Sequence, residues 1–414
     1  MDRVAWFTTA RFGLFIHYGL YAGAARHEWV KQHERLTDAQ YQRYFDHFRA
    51  DRYDPARWAA DARAAGMRYA VLTTKHHEGF CLWDSALTDY KATRTPAGRD
   101  LVAEFVAAFR AEGLRVGFYH SLVDWHHPDF TIDGWHPQWD EHADPAVLNA
   151  GRDMRRYVEY LHGQVRELIT AYRPDLLWFD FSYADDPRVR VGKGRADWHS
   201  AELVALVREL GPDILLNDRL DLPGSADFVT AEEVAPHAQP TVDGRPVPWE
   251  ACRTLNGSWG YAPGYQHWLD PGQVVRLLVD SVAKDGNLLL NVGPDARGAF
   301  EPRARQLLRA VGSWMDGHAD AIHGAGPAHP FEAPVDCRLT RAGDRVFVHV
   351  FAWPAGHLVL PGLAGRVSYA AFLHDGAEVP TAEIAGAPPG SLVLRLPIDR
   401  PDVLVPVVAL TLRP

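Results

Sequence analysis

Three cysteines in 414 residues, Cys81, Cys252 and Cys337, stand far apart with no CxxC or CxxH spacing. That scarcity argues against a disulfide framework and a structural zinc site, and it favours a reducing compartment. No run of about 18 apolar residues occurs, so no membrane span is expected. Excess positive charge is also missing. The 43 Lys and Arg against 53 Asp and Glu give −10 with His neutral, and the basic residues are scattered, which speaks against nucleic acid or an anionic membrane as partner. Repeats and low-complexity segments are absent, which argues against a solenoid. The start, MDRVAWFTTARFGLF, carries charges at Asp2, Arg3 and Arg11 rather than a basic-then-apolar segment, so a cytoplasmic location is expected.

What the chain does have is apolar mass. Hydrophobic residues make up 47%, with 14 Trp, 15 Tyr and 18 Phe, enough to bury a large core. Eight short apolar or β-branched runs are expected as strands, at 12–19, 69–76, 116–122, 176–182, 213–220, 228–233, 253–259 and 287–293. Several, such as LLWFDF and NLLLNVG, lack alternation, as strands buried on both faces do. Between most of them lie stripes of helical period: Leu101, Phe105 and Phe109 share a face before Gly113, and Val274, Leu277, Leu278 and Val282 follow the start signal Asp270-Pro271. Strand and helix in alternation predict a (β/α)8-like barrel over 1–324. Residues 234–251 carry no helical stripe, so the barrel is expected to be irregular. From 325 to 414, short runs punctuated by turns predict an antiparallel β-sandwich.

In a parallel barrel the chemistry sits at the carboxyl ends of the strands. There the sequence places His17, Lys75-His76-His77-Glu78, Tyr119-His120, Asp180, Asn217-Asp218-Arg219 and Glu232-Glu233, among Trp29, Phe80, Trp83, Trp125, Trp178 and Trp259. Acids and imidazoles between aromatic faces suit a sugar, whose hydroxyls need directional partners and whose C–H face stacks on rings. Asp180 stands out, because a carboxylate closing an apolar run costs several kcal/mol to bury without a partner or a task. His76 and His77 are expected on opposite faces of their strand, which argues against joint ligation of a metal. The loop 123–145, with three Trp and four His, is long for a barrel connection.

The stretches FGLFIHYG, YAVLTTKHHEGFCLWDS, VGFYHSLVDWHHPDF, PDLLWFDF, LNDRL, WEACRTLNGSWGY and NLLLNVGPDARG, in this order, resemble the α-L-fucosidases of glycoside hydrolase family 29. The resemblance implies a retaining exo-glycosidase that needs no cofactor or metal and acts on a fucosylated oligosaccharide or glycoconjugate. It assigns the nucleophile to Asp180 and fucose binding to His17, Glu28, His76, His77, Tyr119 and Arg219; Trp83 and Trp259, among the aromatics at the strand ends, are expected to bind substrate as well. It puts the acid/base at Glu232, with Glu233 and Glu250 as alternatives. Among the departures from the family pattern, Phe181 replaces the Gly after the nucleophile, Glu78 replaces an Asp after the paired His, and Ala231 replaces a Pro. Arg219 and the imidazoles are expected to keep Asp180 ionised, while a less paired Glu232 stays protonated. The alternatives are a non-catalytic carbohydrate-binding barrel and a barrel metallohydrolase; association into a homo-oligomer stays open.

Overall fold

Apolar runs between helical stripes assemble into one parallel sheet in the computed structural model, which describes residues 3–183 and 192–414. Its strands are β1 (Phe12–Ile16), β2 (Tyr69–Lys75), β3 (Arg115–Ser121), β4 (Leu176–Asp180), β5 (Leu215–Leu216) and β6 (Val229–Glu232). After a small hairpin of β7 (Thr241–Val242) and β8 (Arg245–Pro246) come β9 (Trp249–Arg253) and β10 (Gly286–Val292). The order β5-β4-β3-β2-β1-β10-β9-β6 brings the two edge strands from neighbouring stretches of sequence. The helices Leu101–Ala111, Met154–Tyr172, Ser200–Leu210, Pro271–Ala283 and Pro302–His318 each follow a strand. Among the described residues no α-helix follows β5 or β6, so the irregularity extends one connection further than the sequence suggested.

The seam between β5 and β6 has no strand ladder, and its backbone groups find other partners. Asp227 donates its N–H to Leu216 O at 2.8 Å and accepts Leu216 N at Oδ2, also at 2.8 Å. Asn217 does the same between β4 and β5, with its amide bonded to both Phe179 N (3.0 Å) and Phe179 O (2.8 Å). The buried Asn of LNDRL is therefore a ladder substitute.

Two-residue alternation sorts each strand into layers. On β4, Leu177 and Phe179 face the helices, whereas Leu176 and Trp178 join Phe15, Tyr69, Val71, Tyr119, Phe228, Cys252 and Leu289 in the barrel interior. The helix Ala5–Ala10 closes the amino end, with Phe7 against Phe228 and Trp6 against Tyr69. The expected strand over 253–259 is corrected: β9 lies at Trp249–Arg253, and residues beyond it form a loop. WEACR has Glu250 as its second residue, and its side chain, like that of Cys252, faces inward.

The chain then builds an antiparallel sheet, ordered β11 (Gly326–Pro327), β12 (Cys337–Ala342), β13 (Arg345–Val350), β17 (Val407–Leu412) and β15 (Val367–Phe372). It faces a smaller pair, β14 (His357–Leu360) and β16 (Leu392–Arg395), across a core containing Val346, Val348, Leu360, Leu394 and Leu410. Opposite side chains of the larger sheet, among them Phe347, Val407 and Ala409, belong to the barrel's core. The Trp314 indole donates to Val405 O at 2.8 Å across the same junction. No helix among the described residues is long and apolar enough to cross a membrane.

Candidate active site

The inward positions at the carboxyl end of the barrel line one cavity, bounded by His17, Trp29, His76, His77, Tyr119, Trp178, Asp180, Phe181, Tyr183, Arg219, Glu232, Cys252 and Trp259 around Phe15. Asp180 reaches it because alternation along LLWFD continues Leu176 and Trp178 inward. Glu232 does so by the same rule, two residues after Thr230 and four after the interior Phe228.

Asp180 is held from both sides. Its Oδ2 accepts the Tyr119 hydroxyl at 2.8 Å, and its Oδ1 lies 3.1 Å from Arg219 Nη1. Arg219 Nη2 meets Glu232 Oε2 at 2.9 Å, Nη1 also donates to Tyr183 Oη at 2.7 Å, and Nε donates to Thr230 Oγ1 at 2.9 Å. One guanidinium thus spans the two carboxylates across the seam, stacked over Trp178 at 5.1 Å from its ring centre. Glu232 is 42% exposed, so the expectation of a secluded, unpaired acid is corrected; it shares the cation that was expected to serve Asp180 alone. Burial raises the Asp180 carboxyl above the ordinary range against the pull of Arg219, and the Glu232 charge adds to the rise.

Three imidazoles face Asp180 from β1 and β2. His17 Nδ1 pairs with Asn291 Oδ1 at 2.7 Å, and His77 Nδ1 pairs with Ser121 Oγ at 2.6 Å. Burial pushes His17 and His77 down to about 3 and lowers His76 as well, so all three are neutral at pH 7 and supply hydrogen bonds rather than charge. His77 Nε2 comes to 3.9 Å from Asp180 Oδ2. His76 and His77 both line the cavity, against the expected opposite facing. The strand ends at Lys75, so the pleat that would separate them has stopped, and their rings lie 4.1 Å apart. Among the described residues no group of three or more His, Cys, Asp or Glu converges as a metal site.

Two expected site residues sit elsewhere. Trp83 is carried outward when Cys81 bridges back to Lys75; its indole donates to Glu167 on the helix Met154–Tyr172 at 3.0 Å, away from the cavity. Glu28 is 1% exposed and turns into the protein, where its Oε2 accepts Gly260 N at 2.9 Å. The bend at His27, φ 105°, sends Trp29 into the cavity instead. Of the other carboxylates, Glu233 accepts Thr254 N outside the cavity, and Glu250 is buried beneath it against Tyr69 and Trp178. Burial raises Glu250 to about 8.

Sequence reasoning missed Asn291, Tyr183 and Cys252. Asn291 closes the apolar run NLLLN, and Tyr183 stands three residues after Asp180, so both carried the signal of a polar group just past a strand. Cys252 was lost with the misplaced strand.

A model of the family described as Alpha-L-fucosidase matches residues 2–320. The chain belongs to the alpha-L-fucosidase family. Tissue alpha-L-fucosidase of Rattus norvegicus is 30% identical over 349 residues, 78% of this chain and 70% of the relative. The alpha-L-fucosidase of Dictyostelium discoideum is 27% identical, with 97% of this chain and 90% of the relative covered. Among solved structures, alpha-L-fucosidase isoenzyme 1 from Paenibacillus thiaminolyticus superposes with a TM-score of 0.93 at 45% identity, covering 100% of this chain and 99% of that one. A family 29 fucosidase from Bacteroides thetaiotaomicron, trapped as a covalent intermediate with 2-fluoro-fucosyl fluoride, superposes with a TM-score of 0.86 at 27% identity, covering 100% and 97%.

Proposed function

We propose that this family member is a retaining, exo-acting α-L-fucosidase that removes terminal α-L-fucose from fucosylated oligosaccharides or glycoconjugates, with Asp180 as nucleophile and Glu232 as acid/base. Membership in the family makes it a glycoside hydrolase, and the relative trapped as a covalent intermediate supports retention. The observation that carries the assignment is the single guanidinium of Arg219 between Asp180 and Glu232 inside one lined cavity. Retaining hydrolysis wants two carboxyl groups about 5–5.5 Å apart, and a shared guanidinium favours such closeness.

In the first step the Asp180 carboxylate attacks the anomeric carbon as the bond to the leaving oxygen breaks, and Glu232 gives that oxygen its proton. In the second, water loses a proton to Glu232 and displaces Asp180, which leaves as a carboxylate. His17, His76 and His77, neutral and buried, would bind the fucose hydroxyls, with Trp259 and Trp178 beside the ring. Screening 4-nitrophenyl α-L-fucoside, β-D-galactoside and α-L-arabinoside tests the substrate class. Release from the fucoside above the other two is expected, and a preference for either of the others would overturn it. The division at 324/325 is supported by antiparallel pairing that starts at Gly326. Residence in the cytoplasm is supported by three buried, unpaired cysteines, and cell fractionation checks it.

A further inference from the structure

Just past the cavity the chain spends conformational energy on rings. Phe181 sits at φ 80°, a left-handed conformation that costs a side-chain-bearing residue about 1–2 kcal/mol and that glycine adopts freely. His27, two residues before Trp29, sits at φ 105°. Such strain persists where surrounding structure enforces it, and it clusters at binding sites. Both residues put their rings into one continuous strip. Tyr183 lies 5.2 Å from Phe181 and Phe181 lies 5.3 Å from Trp29, between ring centres. From Trp29 the strip goes on to His33 at 6.2 Å, then to His27 at 5.4 Å and Tyr265 at 6.0 Å. Tyr183, Phe181 and Trp29 belong to the cavity lining; His33, His27 and Tyr265 lie beyond it.

The strip is open to solvent at Tyr183, His33 and Tyr265, while Phe181, Trp29 and His27 between them are half-buried, with Trp135 packed against Phe181 and Trp29. Tyr183 is 38% and Tyr265 43% exposed, and His33 is exposed as well. Its imidazoles add no charge: burial lowers His27 to about 4, and His33 is lowered for the same reason. A partly exposed row of rings that continues beyond the lined cavity fits the apolar C–H faces of pyranose rings joined in a chain.

We propose that this strip is a leaving-group site, which seats the sugar next to the terminal fucose over Phe181 and Trp29 and the following sugar over His33, His27 and Tyr265. The enzyme is then built for fucose at the end of an oligosaccharide, not for fucosides of small alcohols. This rests on the fucosidase function proposed above and adds the substrate's length to it.

The test compares wild type with a His33→Ala/Tyr265→Ala variant on three substrates: α-L-fucosyl fluoride, a fucosyl disaccharide and a fucosyl tetrasaccharide. Neither residue lines the catalytic cavity, so turnover of the fluoride, which has no leaving-group ring, stays within twofold. Loss of the ring contacts lowers kcat/KM for the tetrasaccharide roughly three- to tenfold, mostly through KM, with a smaller change for the disaccharide. An unchanged tetrasaccharide kcat/KM, or an equal fall on all three substrates, overturns the proposal. Failure of wild type to release fucose from any of the three would instead refute the fucosidase function itself, so the two failures are distinct.

Discussion

Asp227 bears the seam of the barrel, and its replacement by Ala gives a quantitative test of how the sheet closes. The carboxylate is 4% exposed and accepts Leu216 N at 2.8 Å, Arg208 Nη2 at 2.7 Å and Arg3 Nε at 2.6 Å. Truncation leaves the Leu216 N–H buried without a partner, a cost of about 1–3 kcal/mol. Arg208, 22% exposed, loses its partly buried counter-charge for about another 1–2 kcal/mol, below the range for a fully buried pair. Arg3, 40% exposed, adds little. The expected total is about 2–5 kcal/mol. With an unfolding entropy of about 2 cal/mol/K per residue, that lowers Tm by roughly 2–6 °C. Asp227→Asn, which keeps an acceptor for Leu216 N, should lose about half as much. Urea unfolding followed by tryptophan fluorescence measures both. A loss under about 1 kcal/mol for Asp227→Ala, or no difference between Ala and Asn, would refute the claim that this side chain stands in for a ladder.

The raised pKa of Asp180 has a kinetic and a stability consequence. A nucleophile must be ionised, so kcat/KM should fall as pH drops through about 6, which a pH–rate profile records. Because burial disfavours its charged form, Asp180 destabilises the fold increasingly as pH rises from about 4 to 6; Asp180→Asn should therefore gain stability over wild type between these pH values, and a constant difference in denaturation midpoints would contradict the sign. Glu232→Ala should slow hydrolysis of a fucosyl disaccharide far more than of nitrophenyl fucoside, whose leaving group needs no proton, whereas Glu233→Ala should show no such leaving-group dependence. The reverse pattern would move the acid/base to Glu233.

Much of the fold is legible in the sequence because a strand buried on both faces and a one-sided helix leave different periodicities. LLWFDF, NLLLNVG and FGLFI are strands where they were expected, and the inward position of Asp180 follows from alternation alone. Errors fall where that rule stops applying. WEACR carries an interior Glu that obscures a strand, and the apparent run after it is a loop. His76 and His77 lie one and two residues beyond the end of β2, where pleating no longer separates neighbours. Trp83 and Glu28 sit close in sequence to cavity residues, but a β-bridge at Cys81 and a positive φ at His27 turn them away. Such turns depend on tertiary partners, Glu167 for one and Gly260 for the other, which no local pattern announces. The sharing of Arg219 by two carboxylates was hidden for the same reason, since it needs β4, β5 and β6 in place together.

The central claim is that Asp180 forms a covalent bond to the sugar, and chemical rescue tests it most directly. Asp180→Ala, shown to be folded by circular dichroism, is assayed on 4-nitrophenyl α-L-fucoside with and without sodium azide. Activity should fall by several orders of magnitude without azide and recover in part with it, and the product should be the β-fucosyl azide, inverted at the anomeric carbon because a small anion now occupies the space of the carboxylate. Near-normal hydrolysis by the folded variant, or an azide product that retains the α configuration, would contradict the account.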